Sequence, residues 1–400
     1  MIGVERQRQD SARERRIRTR IRGRVHDFFA VTSPGFTRIA AAELTAVTGI
    51  IPQSAEKGGI EFRGRLNDLY RVHLHCRTIN RVLLRLHSSK TIYFSQLRQA
   101  CLEVPWELYL AEGKSLAFHV TCGSSRLFHT VRIAEEAWAA VECRLQQYGL
   151  SVEYVAETAD PPPQQKVFLR LEADRLQLSL DASGELLYRR GFGKHTGRAP
   201  LRDTLAAAVL LAAGWPDFEY LLDPMCGSGT FSLAAAQMAV GIPVGAQRSF
   251  AFEAWPAFSP ATWAHMKKKA ISKLKCEPYI RIFASNRNRR ELAVAVANAE
   301  KSSLSGWIDF SKSDFFNSRP PDRTTGRSLL VLNPPYGRRL IAADQKTFFQ
   351  RIGDKIINDY ADCSYAVIVP GEAAEVALNL PFRVKIPFSN GGLKVALLIG

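Results

Sequence analysis

The chain lacks the means to build a stapled or zinc-bound fold. Its seven cysteines, Cys76, Cys101, Cys122, Cys143, Cys226, Cys276 and Cys363, are odd in number and form no C-x-x-C pair. That pattern argues against both a disulfide framework and a zinc site, and it fits a reducing cytoplasm. No apolar run reaches the length of a membrane span, and the first residues lack the apolar core of a secretory signal. Acid is scarce: 38 Asp and Glu stand against 54 Lys and Arg, a net charge of +16. Such an excess points to a polyanionic partner, nucleic acid before others. What is present is ample core material, 46% hydrophobic and 10% aromatic over 400 residues. That length exceeds one ordinary core and implies two or three domains.

The order of elements divides the chain. Residues 1–24 hold nine arginines, three acids and almost nothing apolar, the composition of a flexible basic tail that would tether phosphates without reading bases. From residue 25 to 185, strands expected at Asp27–Thr32, Ile60–Arg63, Val82–His87, Ser115–Thr121, Lys166–Glu172 and Gln177–Asp181 mix with helices at Thr37–Val47, Leu66–Leu74 and Val131–Gln147. This half has no cluster of acids and histidines and reads as an α+β binding domain. From 186 to 400 the pattern is α/β. Strands expected at Tyr220–Pro224, Ile280–Asn286, Ile308–Asp314, Leu329–Asn333 and Ala366–Pro370 alternate with helices, which predicts a doubly wound, mostly parallel sheet. Arg383–Phe388 and Val395–Gly400 flank Asn390-Gly391-Gly392, so a terminal hairpin should place one strand antiparallel.

Two motifs carry chemistry. The first is Asp223-Pro224-Met225-Cys226-Gly227-Ser228-Gly229-Thr230, a buried strand opening into a glycine-rich turn. It fits neither G-x-x-x-x-G-K-[ST] nor G-x-G-x-x-G, so a phosphate cradle and a dinucleotide fingerprint are both disfavoured. A loop with no lysine and an acid at the strand end suits a cationic ligand free of phosphate, bound at the carboxyl edge of the sheet. The second is Asn333-Pro334-Pro335-Tyr336. The amine on a nucleobase is a poor nucleophile because its lone pair is drawn into the ring. A side-chain carbonyl and a rigid Pro-Pro carbonyl can each accept from it and orient the nitrogen for in-line attack. Tyr336 offers a ring for an extruded base.

Together these motifs resemble the class I methyltransferases with an N-P-P-Y tetrapeptide. More narrowly the chain is similar to the RlmL-like 23S rRNA guanine-N2 methyltransferase family in its single-methyltransferase form. Further marks are Arg190-Gly191-Phe192, Ala199-Pro200-Leu201 and Phe252-Glu253-Ala254-Trp255 in the second half, with Ser33-Pro34-Gly35-Phe36, Arg77-Thr78-Ile79-Asn80 and Ser125–Thr130 in the first. The resemblance implies a seven-stranded Rossmann-like methyltransferase domain over 186–400, preceded over 25–185 by a ferredoxin-like segment and a THUMP RNA-binding domain. It implies S-adenosylmethionine as cofactor, held by Asp223, Pro224, Met225, Cys226, Gly227, Ser228, Gly229 and Thr230, with Asp314 and Phe315 at the adenine and Thr196 to Pro200 closing over it. Asn333, Pro334, Pro335 and Tyr336 would hold the target amine, and no metal is required. Each strand-end acid serves equally well as a helix cap.

One departure bears on the cofactor. Relatives carry an acid after the second strand for the ribose hydroxyls; here Asn286 stands in Ala284-Ser285-Asn286-Arg287. An amide accepts more weakly than a carboxylate, so Asn286→Asp is expected to tighten binding by about 1 kcal/mol. In the first half, Lys114, Arg126 and His129 are expected to contact RNA, the favoured partner being large-subunit rRNA, and residues 25–185 to bind it alone. Competing functions are a tRNA guanine methyltransferase, a DNA amino-methyltransferase using the same tetrapeptide, and an RNA-binding or assembly protein whose catalytic half has decayed.

Overall fold

A computed structural model describes residues 2–56, 58–190, 201–275, 280–321, 327–336 and 342–400. The first half comprises α1 (Ile2–Ile17), β1 (His26–Thr32), α2 (Thr37–Thr48), β2 (Ser54–Glu56), β3 (Gly59–Gly64), α3 (Leu66–His75), β4 (Ile79–Lys90), α4 (Phe94–Glu103), β5 (Ser115–Gly123), α5 (Thr130–Gln147), β6 (Glu153–Tyr154), β7 (Gln165–Glu172) and β8 (Arg175–Asp181). Its strands form one sheet in the order β2-β3-β1-β4-β8-β7-β5-β6. β4 joins the two ends: twelve residues long, it pairs with β1 through Ile79–Leu84 and with β8 through Leu83–Lys90.

The second half comprises α6 (Asp203–Ala212), β9 (Tyr220–Asp223), α7 (Thr230–Val240), α8 (Pro260–Ile271), β10 (Arg281–Ser285), α9 (Arg289–Lys301), β11 (Ile308–Ser311), β12 (Ser328–Leu332), α10 (Ala342–Asp359), β13 (Ser364–Val369), α11 (Glu372–Leu378), β14 (Val384–Asn390) and β15 (Leu393–Ile399). The sheet runs β11-β10-β9-β12-β13-β15-β14, and only β15 opposes its neighbours. The order reverses beside β9, so the carboxyl ends of β9, β10, β11 and β12 share one edge, where open α/β sheets bind ligands. β12 and β13 are almost wholly apolar and buried on both faces, as a central parallel strand must be.

Two expectations need correction. The arginine-rich start is not a flexible tail from residue 10 onward: α1 and a π-type turn at Arg18–Arg22 dock on the first half. Ile17 and Ile21 are both 2% exposed, one helical turn apart on the inward face. Arg16 lies 2.6 Å from one oxygen of Glu107, and Arg144 is 3.0 Å from the other. The Arg13 guanidinium donates to the carbonyls of Glu107 and Leu110. Composition suggested disorder because the acid that answers these arginines is a single buried glutamate, 91 residues away from Arg16.

Nor do the halves part cleanly at 185. Phe250, Phe252, Trp255, Ala257, Trp263 and Ala270, all numbered within the second half, complete the core of the first. Tyr70 packs against the Phe252 ring at 4.9 Å and Trp263 at 5.8 Å. Buried Gln165 donates to the Ala251 carbonyl and accepts from the Trp255 indole. In the other direction, Phe36 of the first half sits in the core of the second.

Candidate active site

β9 ends at Asp223, and the chain must then turn sharply into α7. Gly227 and Gly229 make the turn with φ of +54° and +81°, values that favour residues without a Cβ. A Cβ on Gly229 would lie 3.1 Å from that of Ala295 on α9, so the loop is pressed against that helix. The Cys226 N–H donates to the Ser285 carbonyl and ties the loop to β10. Burial pushes the Cys226 thiol well up, which leaves it neutral and unreactive.

Around this turn lies a cavity of about 780 Å³, lined by Asp223 to Ser228, Thr230, Asn286, Asp314, Phe315, Asn333 and Pro335 among others. Residues from the ends of four strands, far apart in sequence, therefore meet in one place. Asp223 is 1% exposed and accepts from the Ser232 hydroxyl at 2.6 Å and its N–H at 3.2 Å. Burial raises its pKa to about 7, with the two Ser232 bonds opposing. Asp314 accepts from the Phe316 N–H at 3.0 Å, so the capping role does apply to it, yet it also faces the cavity. Phe315 is 2% exposed and rests against Tyr360, while half-buried Phe316 and Phe348 offer the wall more ring surface.

Asn286 also lines the cavity, but its acceptor is already engaged. Its carbonyl oxygen takes the Asn288 N–H at 2.7 Å, and its amide donates to Glu291 at 3.2 Å. Glu291, on the first turn of α9, is itself part of the lining. A carboxylate thus stands at the cavity five residues after Asn286. Sequence inspection missed it because the acid lies outside the strand-end motif and reaches the site only once α9 has formed.

Asn333 follows β12. Its Oδ1 is buried without a hydrogen-bond partner among the described residues. Pro334 is buried and Pro335 lines the cavity. Tyr336 is half-buried and is not among the lining residues; its hydroxyl accepts from Asn390 at 2.6 Å. The ring expected to stack on a base is turned toward the terminal hairpin. Thr196 and Pro200 lie outside the described residues.

The three RNA contacts expected in the first half lie at opposite ends of β5. Lys114 precedes β5, whereas Arg126 and His129 follow it. Nine residues of strand separate them by roughly 30 Å at ~3.3 Å per residue. Arg126 and His129 are exposed, and the His129 ring lies 4.1 Å from that of Phe128, itself 63% exposed.

The residues around the cavity fit an adenosyl sulfonium. Carboxylates of Asp223, Glu291 and Asp314 line it, the glycine loop has no lysine for phosphate, and rings stand beside Asp314. Among the described residues no group of side chains could hold a metal, and no helix is long and apolar enough to cross a membrane.

Known proteins agree with this geometry. A family profile described as RMKL-like, methyltransferase domain, matches residues 190–379, and one described as RlmL ferredoxin-like domain matches 27–83. A protein of Synechocystis sp. named as a candidate RNA methyltransferase is 30% identical over 374 residues, 93% of this chain and 95% of its own. The ribosomal RNA large subunit methyltransferase K/L of Cellvibrio japonicus is 30% identical over 393 residues, 94% of this chain and 51% of its own. The chain spans about half the length of the K/L proteins it matches. A crystal structure of a candidate methyltransferase complexed with S-adenosylhomocysteine superposes with a TM-score of 0.84 at 24% identity, covering 94% of this chain and 97% of that one, a likeness of fold. The chain therefore belongs to the RlmL-like methyltransferases, a ferredoxin-like segment followed by a class I S-adenosylmethionine-dependent methyltransferase domain.

Proposed function

We propose that the protein methylates the exocyclic 2-amino group of a guanine in RNA, with large-subunit rRNA as substrate, in the cytoplasm. The observation that carries this reading is Asn333, which lines the cavity and whose buried Oδ1 has no hydrogen-bond partner among the described residues. A buried acceptor without a donor costs ~1–3 kcal/mol, and a base amine entering the cavity removes that cost. S-adenosylmethionine, when bound, supplies an electrophilic methyl group on a sulfonium.

The chain's own residues do the rest. Asn333 accepts from the amine, and the Pro334 carbonyl accepts a second bond, so the nitrogen lone pair is aimed and not left delocalised. Asp223 and the turn through Thr230, which line the cavity, would hold the cofactor near its sulfonium. Glu291, oriented by Asn286, would accept from the ribose hydroxyls, Asp314 would accept from the adenine amine, and Phe315 and Phe316 would border the ring. Residues 25–185 serve as the RNA-binding half and 186–400 as the catalytic half. Support for RNA comes from the +16 charge, the exposed Arg126, Phe128 and His129 beside one another, and the names of the relatives.

The test uses a labelled methyl donor with unmodified rRNA, tRNA and duplex DNA, followed by nucleoside analysis. N2-methylguanosine from rRNA is the expected product. Asn333→Ala should cost on the order of a hundredfold or more in rate, with cofactor affinity by calorimetry almost unchanged. Near-normal turnover in that variant, or label on another base, overturns the reading. RNA affinity should also fall steeply with added salt.

A further inference from the structure

Asn390 is the last residue of β14, and the turn beyond it, Gly391-Gly392, has φ of 58° and 84°. Two left-handed residues in succession make a tight reversal and fix the direction in which Asn390 leaves the strand. Its amide meets the Tyr336 hydroxyl at 2.6 Å. β14 is an edge strand, paired with β15 alone in its sheet. Contact with the first half supports it. Phe36 meets Phe388 edge to face at 5.1 Å, and a Cβ on Gly35 would collide with the Pro387 carbonyl oxygen. Phe36 is 1% exposed and shares a core cluster with Phe388, Ile386 and Tyr336.

We propose that Asn390 is a positioning residue for the methyl-transfer motif, and that the first half of the chain sets it in place through Phe36. This rests on the methyl-transfer reading of Asn333–Tyr336. Residues two apart on a strand share a face, so Phe388 and Asn390 project together from β14. The ring that Phe36 holds is thus next in line to the amide that holds Tyr336. From Tyr336 back to Asn333 the chain passes only through Pro334 and Pro335, whose φ angles are locked. A displacement of the tyrosine is passed to the asparagine with little slack. The half assigned to RNA binding thereby bears on the residue assigned to the amine, by packing and one hydrogen bond.

The experiment places 3-fluorotyrosine at position 336 of the full chain and follows its fluorine resonance alongside rRNA methylation. Asn390→Ala should shift or broaden the resonance and lower kcat by about tenfold, with KM and S-adenosylmethionine affinity held within roughly twofold. Phe36→Leu, which keeps most of the side-chain volume, should move the resonance in the same sense. Asn390→Ala should add little in a Tyr336→Phe background, since the proposed route runs through the hydroxyl. An unmoved resonance in Asn390→Ala, or additive losses in the double variant, overturns the proposal. A wild-type protein that methylates no RNA while the resonance still moves would sink the methyl-transfer reading and leave the positioning contact standing.

Discussion

Asp223 was legible in the sequence as a strand-end acid, but its titration was not, because burial is a property of the folded chain. With a folded pKa of about 7 against an ordinary carboxyl value of 3.8, it binds more protons folded than unfolded between those values. Its contribution to stability is therefore greatest at low pH and is lost as pH rises toward 7. Asp223→Asn keeps an acceptor for Ser232 and carries no charge. In cofactor-free protein the variant should match wild type only near pH 3, below the unfolded pKa, and be progressively more stable up to pH 8, by on the order of a few kcal/mol; a gap that does not vary with pH would refute this. At Asn286 the structure reverses the expectation drawn from sequence. Asp at that position would lose the donor to Glu291 and set two carboxylates side by side, which like-charge repulsion disfavours. Asn286→Asp should not tighten S-adenosylmethionine binding. Glu291→Gln should weaken it about tenfold, near 1.4 kcal/mol, and the double variant should recover affinity because one carboxylate is restored. Calorimetry on the four proteins decides. That Asn333, Asp223 and Asp314 reach one cavity could be read from their place after strands. Glu291 and the engagement of Tyr336 by Asn390 could not, since each depends on a helix or hairpin folding back to the site.

At the scale of the element, the apolar strands and their spacing announced most of both sheets. The strands expected at Asp27–Thr32, Val82–His87 and Leu329–Asn333 coincide closely with β1, the middle of β4 and β12. The antiparallel end of the second sheet was visible in Asn390-Gly391-Gly392, a turn that demands residues tolerant of positive φ. α4 escaped notice: its buried face is only Leu97, Ala100 and Cys101, among polar residues. α1 was misread, and the error has a measurable consequence. Ile17→Ala and Ile21→Ala each remove a buried side chain from a packed site and should cost about 2–5 kcal/mol by denaturant unfolding. A solvated tail would show no loss. Removing residues 1–24 should therefore lower stability as well as RNA affinity, and it leaves Glu107 with Arg144 alone.

At the scale of the whole molecule, the two-part layout was legible and the boundary was not. A change of texture near residue 190 marks where βαβ alternation begins, but periodicity says nothing of which core a later segment joins. Phe250 to Ala270 go to the first half because that is where their aromatic partners are. Residues 25–185 expressed alone would expose the faces of Tyr70 and His73 that Phe252 and Phe250 cover. That fragment should be aggregation-prone or molten, with ANS binding and weak near-ultraviolet dichroism, and the intact chain should unfold in calorimetry as one transition. A soluble, well-packed fragment would show the borrowed segment to be dispensable. The same borrowing orders events during synthesis. The first half emerges from the ribosome before its Trp263 keystone has been translated, 76 residues beyond Leu187. At ~5–20 residues per second its apolar face waits about 4–15 s for closure, so the nascent chain, more than the finished protein, is where a chaperone would have work to do.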